Sequence, residues 1–479
     1  MSSAKEPVMR RFGNGLTVLI KEDKSHPVVS LQYWVGTGSM NEGHWQGSGL
    51  SHLLEHLVFK GTAHFSGQEL ARKVQERGGH WNAYTSVNRT VYYIDGPAES
   101  WQIFLNLLTE LVFFPTFPED EMEREKEVVR REMAMYADDP DSVAYQLLMQ
   151  TLYLKHPRRW PVLGERAAFD CLTRQDVLDY HASRYVPNNV VLSIAGDVDA
   201  AEILSHLELL VEDLKSRPLN REPIPHEPHQ FGSRRVRKEF AVPYSKLHLA
   251  WRLPCSAHPD TPALSALSSI LGGGRSARFY EKFHDRLGLV YSIEVHSNQS
   301  ETDEGAFTIS MDVDRAQRDK VRDLVLQELR NLAEEDFTED LKRVCKQTRV
   351  SRLRRRSSAS GVASEMGADW FGSRNLNLSS EWQEAIERVT TEDLHRVCST
   401  WLSSPNVTEV SLDPPGSNAG DEEMASASAG TSLSEHVLGN GMKVVIREDH
   451  RLPLAYACMA FKAGCRAENE HDAGVTDLM

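Results

Sequence analysis

The sequence predicts an α+β protein, and three observations carry that expectation. Residues 16–22, 28–35 and 190–197 are rich in Val, Ile and Leu and read as strands, whereas 50–59 and 118–136 carry the apolar spacing of helices. The order strand, helix, strands, helices recurs after residue 246, so the chain reads as tandem units of similar build. Antiparallel strands with helices gathered on one side make an α+β domain. At 479 residues, 40% of them hydrophobic, the chain has material for roughly two to three domains, each with its own core.

The first strands, 16–22 and 28–35, lead into residues 49–59, Gly-Leu-Ser-His-Leu-Leu-Glu-His-Leu-Val-Phe. Helical neighbours lie three and four residues apart, so His52, Glu55 and His56 leave one face. Leu50, Leu53, Leu54, Leu57 and Val58 call for burial, and each polar group buried beside them without a partner costs on the order of 1–3 kcal/mol. A metal ion resolves that conflict. His-x-x-Glu-His is the inverted zincin motif, in which both His bind zinc and the Glu is the general base. A structural zinc is closed by a fourth protein ligand, usually Cys, and no Cys lies near this helix. The set therefore fits a catalytic site, which keeps a position for water.

Residues 78–86 and 90–94 alternate and are aromatic or β-branched, so both read as strands. The helix over 118–136 has Pro118 at its first turn, acids early and Arg130 and Arg131 late, a normal helix polarity. It is the place to seek a third ligand. Glu125 and Glu132 are seven apart and share a face with Val128, Val129 and Met133, so either can turn toward a metal.

The run from His52 to Thr62, HLLEHLVFKGT, with Glu132 in Arg-Glu-Met 76 residues after His56 (132 − 56), resembles the insulinase/pitrilysin metallopeptidase family, which includes the mitochondrial processing peptidases. The resemblance extends over most of the chain. It implies tandem α/β-roll domains in a clamshell architecture. It implies His52, His56 and Glu132 as zinc ligands, Glu55 as the base and Glu125 as a carboxylate that orients a ligand from behind. It also implies that Asn82, Ala83 and Thr85 belong to an edge strand to which substrate adds as an extra strand, all three being substrate contacts. The activity implied is that of a zinc-dependent endopeptidase acting on unstructured peptides or polypeptide segments. The rival is a non-catalytic peptide-binding or scaffold subunit of the same family, against which the intact motif speaks.

Residues 216–228, rich in Pro and charge, read as a linker. Beyond it come a strand at 246–253, a helix at 262–271, strands at 290–295 and 305–313, and helices to about 401. Segments 271–280 and 287–292 resemble the family's second-domain signature. Similar enzymes place an Arg seven residues before the Tyr of that signature; here Tyr291 has His284 in that place, which implies that this unit is not the one facing the zinc. After a stretch rich in Pro, Gly, Ser and Ala, residues 438–449 repeat 12–23 almost position for position, and Asp477 stands where His52 stood. The expected division is a zinc-binding catalytic domain at 1–220, a second, inactive and substrate-enclosing domain at 221–415, a flexible linker at 416–433, and the start of a third, repeat domain at 434–479. The partner this implies is the C-terminal half of a longer chain, or a homologous subunit.

A net charge of −15 argues against nucleic acid and mildly favours cationic ligands. The basic run of Arg349, Arg352, Arg354, Arg355 and Arg356 reads as a solvated helix face. No stretch approaches the roughly 20 apolar residues of a membrane span, and the first residues show no signal or transit peptide pattern. Six Cys without C-x-x-C spacing read as reduced. A cytoplasmic protein is the expectation.

Overall fold

The structure, a computed structural model, describes residues 6–219, 223–300, 304–402, 405–416 and 433–447. It divides into two compact units, Met1–Asn418 and Ala419–Met479. In chain order the first part of the larger unit runs β1 (Val8–Arg11), β2 (Thr17–Glu22), β3 (Val28–Val35), α1 (Leu50–Val58), α2 (Gly67–Gln75), β4 (His80–Thr85), β5 (Thr90–Pro97), α3 (Trp101–Phe113), α4 (Glu119–Asp138), α5 (Pro140–Leu152), α6 (Arg166–Asp170), α7 (Arg174–Arg184), β6 (Val190–Gly196) and α8 (Ala200–Leu210). The second part runs β7 (Arg234–Glu239), β8 (Ser245–Leu253), α9 (Thr261–Gly272), β9 (Val290–Asn298), β10 (Gly305–Val313), α10 (Arg318–Asn331), α11 (Thr338–Arg355), α12 (Ala359–Ser373), α13 (Leu378–Glu387), α14 (Thr391–Val397) and β11 (Thr408–Asp413).

Two sheets organise these elements, in the orders β1-β2-β6-β3-β5-β4 and β7-β11-β8-β10-β9. Apart from β1 the two orders are the same: first strand, last strand, second strand, then a hairpin reversed. The tandem repeat expected from the order of elements is thus present in the topology. In both sheets the hairpin's first strand, β4 or β9, is an edge.

The α+β class holds, but two details differ from an antiparallel sheet with helices on one side. First, β2 pairs with β6, and β7 with β11, in parallel. A strand that returns after a long helical excursion can enter the sheet in either direction, unlike one joined by a tight turn. Second, each sheet has helices on both faces. One face of the first sheet packs on α1, α3, α4, α7 and α8 in a core of fully buried Leu, Val and aromatic residues. Its other face, with Leu19, Trp34, Val91 and Val191, is covered by Val362, Ala363 and Met366 of α12, a helix from the second part. The approach is close: a Cβ on Gly367 would lie 2.4 Å from the Trp34 ring. Reciprocally, α5 lays Leu148, Met149 and Leu152 against Ala250, Ala306 and Val410 of the second sheet. Each part lends the other a helix, and this exchange makes residues up to 418 one compact unit.

The smaller unit contains an antiparallel hairpin, β12 (Leu433–Val437) and β13 (Lys443–Arg447). Its closing pair, Val437 with Lys443, is the counterpart of Arg11 with Thr17 in the β1–β2 hairpin, so the sequence repeat is also a repeat of register. Asp477 lies outside the described residues. Among the described residues no helix is long and apolar enough to cross a membrane.

Candidate metal centre and active site

Helix α1 starts on Gly49, whose left-handed backbone (φ 73°) glycine adopts without strain; a Cβ there would meet the Leu163 carbonyl oxygen at 2.0 Å. The fully buried Glu42 accepts the Ser51 N–H at 2.8 Å and so satisfies a donor that a helix start leaves free. Burial pushes the Glu42 carboxyl up to about 8 despite that bond. Leu50, Leu53, Leu54, Leu57 and Val58 are wholly buried, and the half-buried His52, Glu55 and His56 occupy the remaining face.

The neighbouring helix α4 buries Met122 and Val129 in the same core as α1 and turns Glu125 and Glu132 toward the two imidazoles. Helix spacing left open which of the two acids faces a metal, and the resemblance implied Glu132. In the fold their positions differ sharply. One oxygen of Glu132, Oε2, lies 3.8 Å from His52 Nε2 and 3.8 Å from His56 Nε2. Glu125 sits behind His56, its Oε2 3.1 Å from Nδ1 and its Oε1 2.6 Å from Lys60 Nζ. A carboxylate only accepts hydrogen bonds, so Nδ1 of His56 carries the proton and its Nε2 keeps the lone pair on the Glu132 side. Burial pushes the Glu125 carboxyl up, but the bonds from His56 and Lys60 outweigh it and leave the group below its usual range.

The donor set fits a divalent zinc ion. Among the described residues, His52, His56 and Glu132 are the one group of metal-capable side chains whose ligand atoms all lie within 4.8 Å of each other. Two imidazole nitrogens and one carboxylate oxygen are the three-ligand set of a zinc site that keeps a fourth position open. His52 is held neutral, its pKa lowered to about 3 by burial and then by the adjacent His56, and a neutral imidazole is the form that ligates.

Glu55 lies on the same face and is fixed from the other side. Thr85 Oγ1, on β4, donates to Glu55 Oε2 at 2.5 Å. Burial raises the Glu55 carboxyl above its usual value, against the pull of the Thr85 bond. Strand β4 is an edge, as the resemblance implied for residues 82–85. Asn82 is exposed and its Oδ1 accepts the N–H of the half-buried Ala83 at 2.9 Å. The fold thus brings His52, Glu55, His56, Glu125, Glu132 and Thr85 into one cluster, with Asn82 and Ala83 further along the strand. Two residues that support the cluster were given no role in the sequence reading, Lys60 behind Glu125 and Glu42 at the start of α1. Lys60 stands in the quoted run, four residues after His56, and a cation one turn beyond a ligand His was the available signal; nothing local marked Glu42.

Comparison with known proteins follows the same lines. Residues 17–166 match the family described as Insulinase (Peptidase family M16), and residues 172–347 match Peptidase M16 inactive domain. An uncharacterized zinc protease of Mycobacterium tuberculosis is 30% identical over 299 residues, spanning 61% of this chain and 67% of its own. The chain belongs to peptidase family M16. An uncharacterized zinc protease of Rickettsia felis aligns with this M16 chain over 406 residues at 27% identity, covering 82% of it and 94% of the relative. The crystal structure of a protease from Helicobacter pylori superposes with a TM-score of 0.78 at 27% identity, over 85% of the M16 chain and all of the neighbour (100%). The site residues of the M16 chain all fall inside the 17–166 match; the part described as inactive begins after them.

Proposed function

We propose that this M16 chain is a zinc-dependent endopeptidase that hydrolyses unstructured peptides or polypeptide segments laid as an added strand along β4. One observation carries the reading: both Nε2 atoms converge on a single Glu132 oxygen, with Glu55 on the same helix face. His52, His56 and Glu132 would hold the ion. When bound, zinc would polarise the scissile carbonyl and lower the pKa of its water toward about 7. Glu55 takes a proton from the attacking water and passes it to the leaving amine, a role suited to a carboxyl raised by burial. Glu125, tied to Lys60, fixes the tautomer and ring of His56. Main-chain pairing along an edge strand reads extended shape more than side-chain identity, which favours unfolded substrates with Asn82 and Ala83 at the contact.

A C-terminal half of the same protein, or a homologous subunit, would close a chamber over the site; the β12–β13 hairpin, repeating β1–β2, supports this. A cytoplasmic setting belongs to the proposal and is supported by the free thiols of Cys171, Cys255, Cys345 and Cys398. The scaffold alternative is disfavoured because the inactive-domain match lies outside the ligand helices.

The test is Glu55→Gln. The variant should bind zinc like the parent chain and lose cleavage of an unstructured quenched peptide by about 10²–10⁴-fold. Equal turnover would remove Glu55 from the mechanism, and absence of zinc from the parent would move the protein to the scaffold class.

A further inference from the structure

The carry-over from similar enzymes makes Thr85 a substrate contact, yet its hydroxyl is engaged elsewhere. Its oxygen lies 2.5 Å from Glu55 Oε2 and 3.5 Å from Thr90 Oγ1. Thr90 donates its own proton to the Thr37 carbonyl at 3.0 Å, so the Thr85 proton goes to Glu55. The backbone of Thr85 faces outward. Ser86 N–H bonds Arg89 O across the β4–β5 hairpin, and bonded pairs alternate along an antiparallel ladder. The main-chain groups of Thr85 and Ala83 therefore face the open edge.

We propose that Thr85 is a positioning residue: its hydroxyl clamps the Glu55 carboxylate against β4, so the strand that receives the peptide also sets the orientation of the base. The proposal rests on the peptidase reading for its catalytic consequence, but the clamp itself is a matter of geometry. It separates two roles along one strand. Ala83 offers its outward main chain to substrate once the Asn82 side chain swings off its N–H, while Thr85 serves Glu55 and leaves no hydroxyl proton for the peptide. A base held by the docking strand sits at a fixed distance from any carbonyl that strand positions, and misplacement of about 1 Å costs about 10²-fold in rate.

The experiment compares the zinc-loaded 479-residue chain with Thr85→Val, which keeps the shape and loses the hydroxyl, and with Thr85→Ser, which keeps the hydroxyl. Zinc content, kcat and KM on a quenched unstructured peptide, and crystal structures are measured for each. Thr85→Val should lose about 10- to 100-fold in kcat with KM and zinc unchanged, and its Glu55 should turn away from β4. Thr85→Ser should recover most of kcat and keep Glu55 in place. A raised KM at unchanged kcat would make Thr85 a substrate contact and overturn the proposal, as would full activity in the Val variant or equal loss in the Ser variant. If the parent chain alone cleaves nothing, the crystal structures decide: Glu55 displaced by Val and retained by Ser supports the clamp, and Glu55 unmoved by Val refutes it.

Discussion

Removing the support behind His56 should weaken zinc binding by an amount the geometry allows to be ranked. Glu125 is 7% exposed and accepts two charge-assisted bonds, from His56 Nδ1 at 3.1 Å and from Lys60 Nζ at 2.6 Å. In Glu125→Gln one carboxylate oxygen becomes an amide NH₂, so at most one of the two donors keeps an acceptor. Bonds to charged groups contribute about 1.5–3 kcal/mol each, and lost support behind a ligand imidazole typically costs 10- to 100-fold in metal affinity. Glu125→Gln should therefore fall in that range. Lys60 acts on the site only through Glu125, and its side chain is 29% exposed, so water replaces part of what it supplies. Lys60→Met should cost at most about tenfold, the lower end of the same range. Because both act through one carboxylate, the double variant should be no weaker than Glu125→Gln alone. Competition against a chromophoric chelator at neutral pH measures all three. Wild-type affinity in Glu125→Gln, or a Lys60→Met loss that exceeds it or adds fully to it, would refute the chain Lys60–Glu125–His56.

Two further outcomes test the setting of the site. The raised carboxyl of Glu42 means that its neutral form belongs to the fold: the stability it contributes is complete below the unfolded value near 4.5 and is lost as pH rises through about 8. At pH 7 the loss amounts to about 3 kcal/mol by linkage, so Glu42→Gln should flatten the urea-midpoint profile between those values, and parallel profiles for parent and variant would show that Glu42 is not buried neutral. In Gly367→Leu the side chain would occupy the Trp34 ring at 2.4 Å and lift α12 from the first sheet, lowering the urea midpoint by an overpacking cost of about 1–3 kcal/mol; an unchanged midpoint would mean that the two parts do not pack through this helix.

The elements legible in the sequence were those whose pattern is local. Strands 28–35 and 305–313 were bounded by their own β-branched runs and match β3 and β10 end to end. The motif helix was legible because three polar residues interrupt an apolar stripe. What stayed hidden depended on distant partners. Helix α12, Ala-Ser-Gly-Val-Ala-Ser-Glu-Met-Gly-Ala-Asp-Trp-Phe-Gly-Ser, is small-residue rich because it must approach Trp34 and Ser193, and no periodicity announces a neighbour 170 residues away or more. One sign was available: β6, Val-Val-Leu-Ser-Ile-Ala-Gly, is apolar throughout instead of alternating, and it is buried along its whole length, the mark of a strand covered on both faces. The choice between Glu125 and Glu132 was likewise beyond spacing, since residues seven apart share a helix face; Lys60 and the two Nε2 atoms separate them in space.

The repeated topology also shows what the site costs. Helix α9 follows β8 and lies beside the edge strand β9, as α1 follows β3 and lies beside β4. It reads Thr-Pro-Ala-Leu-Ser-Ala-Leu-Ser-Ser-Ile-Leu-Gly, without a single His, Cys, Asp or Glu, and buries Ala263, Leu264, Ala266, Leu267, Ile270 and Leu271. In this architecture the helix after the central strand is therefore content as a plain apolar element. The two imidazoles and the carboxylate of α1 add nothing that the fold requires, and they bring desolvation that α9 avoids. Local rules broken in one copy and kept in the other favour the broken copy as the functional one, which supports the proposal that the chemistry belongs to the first sheet and is not shared between the two.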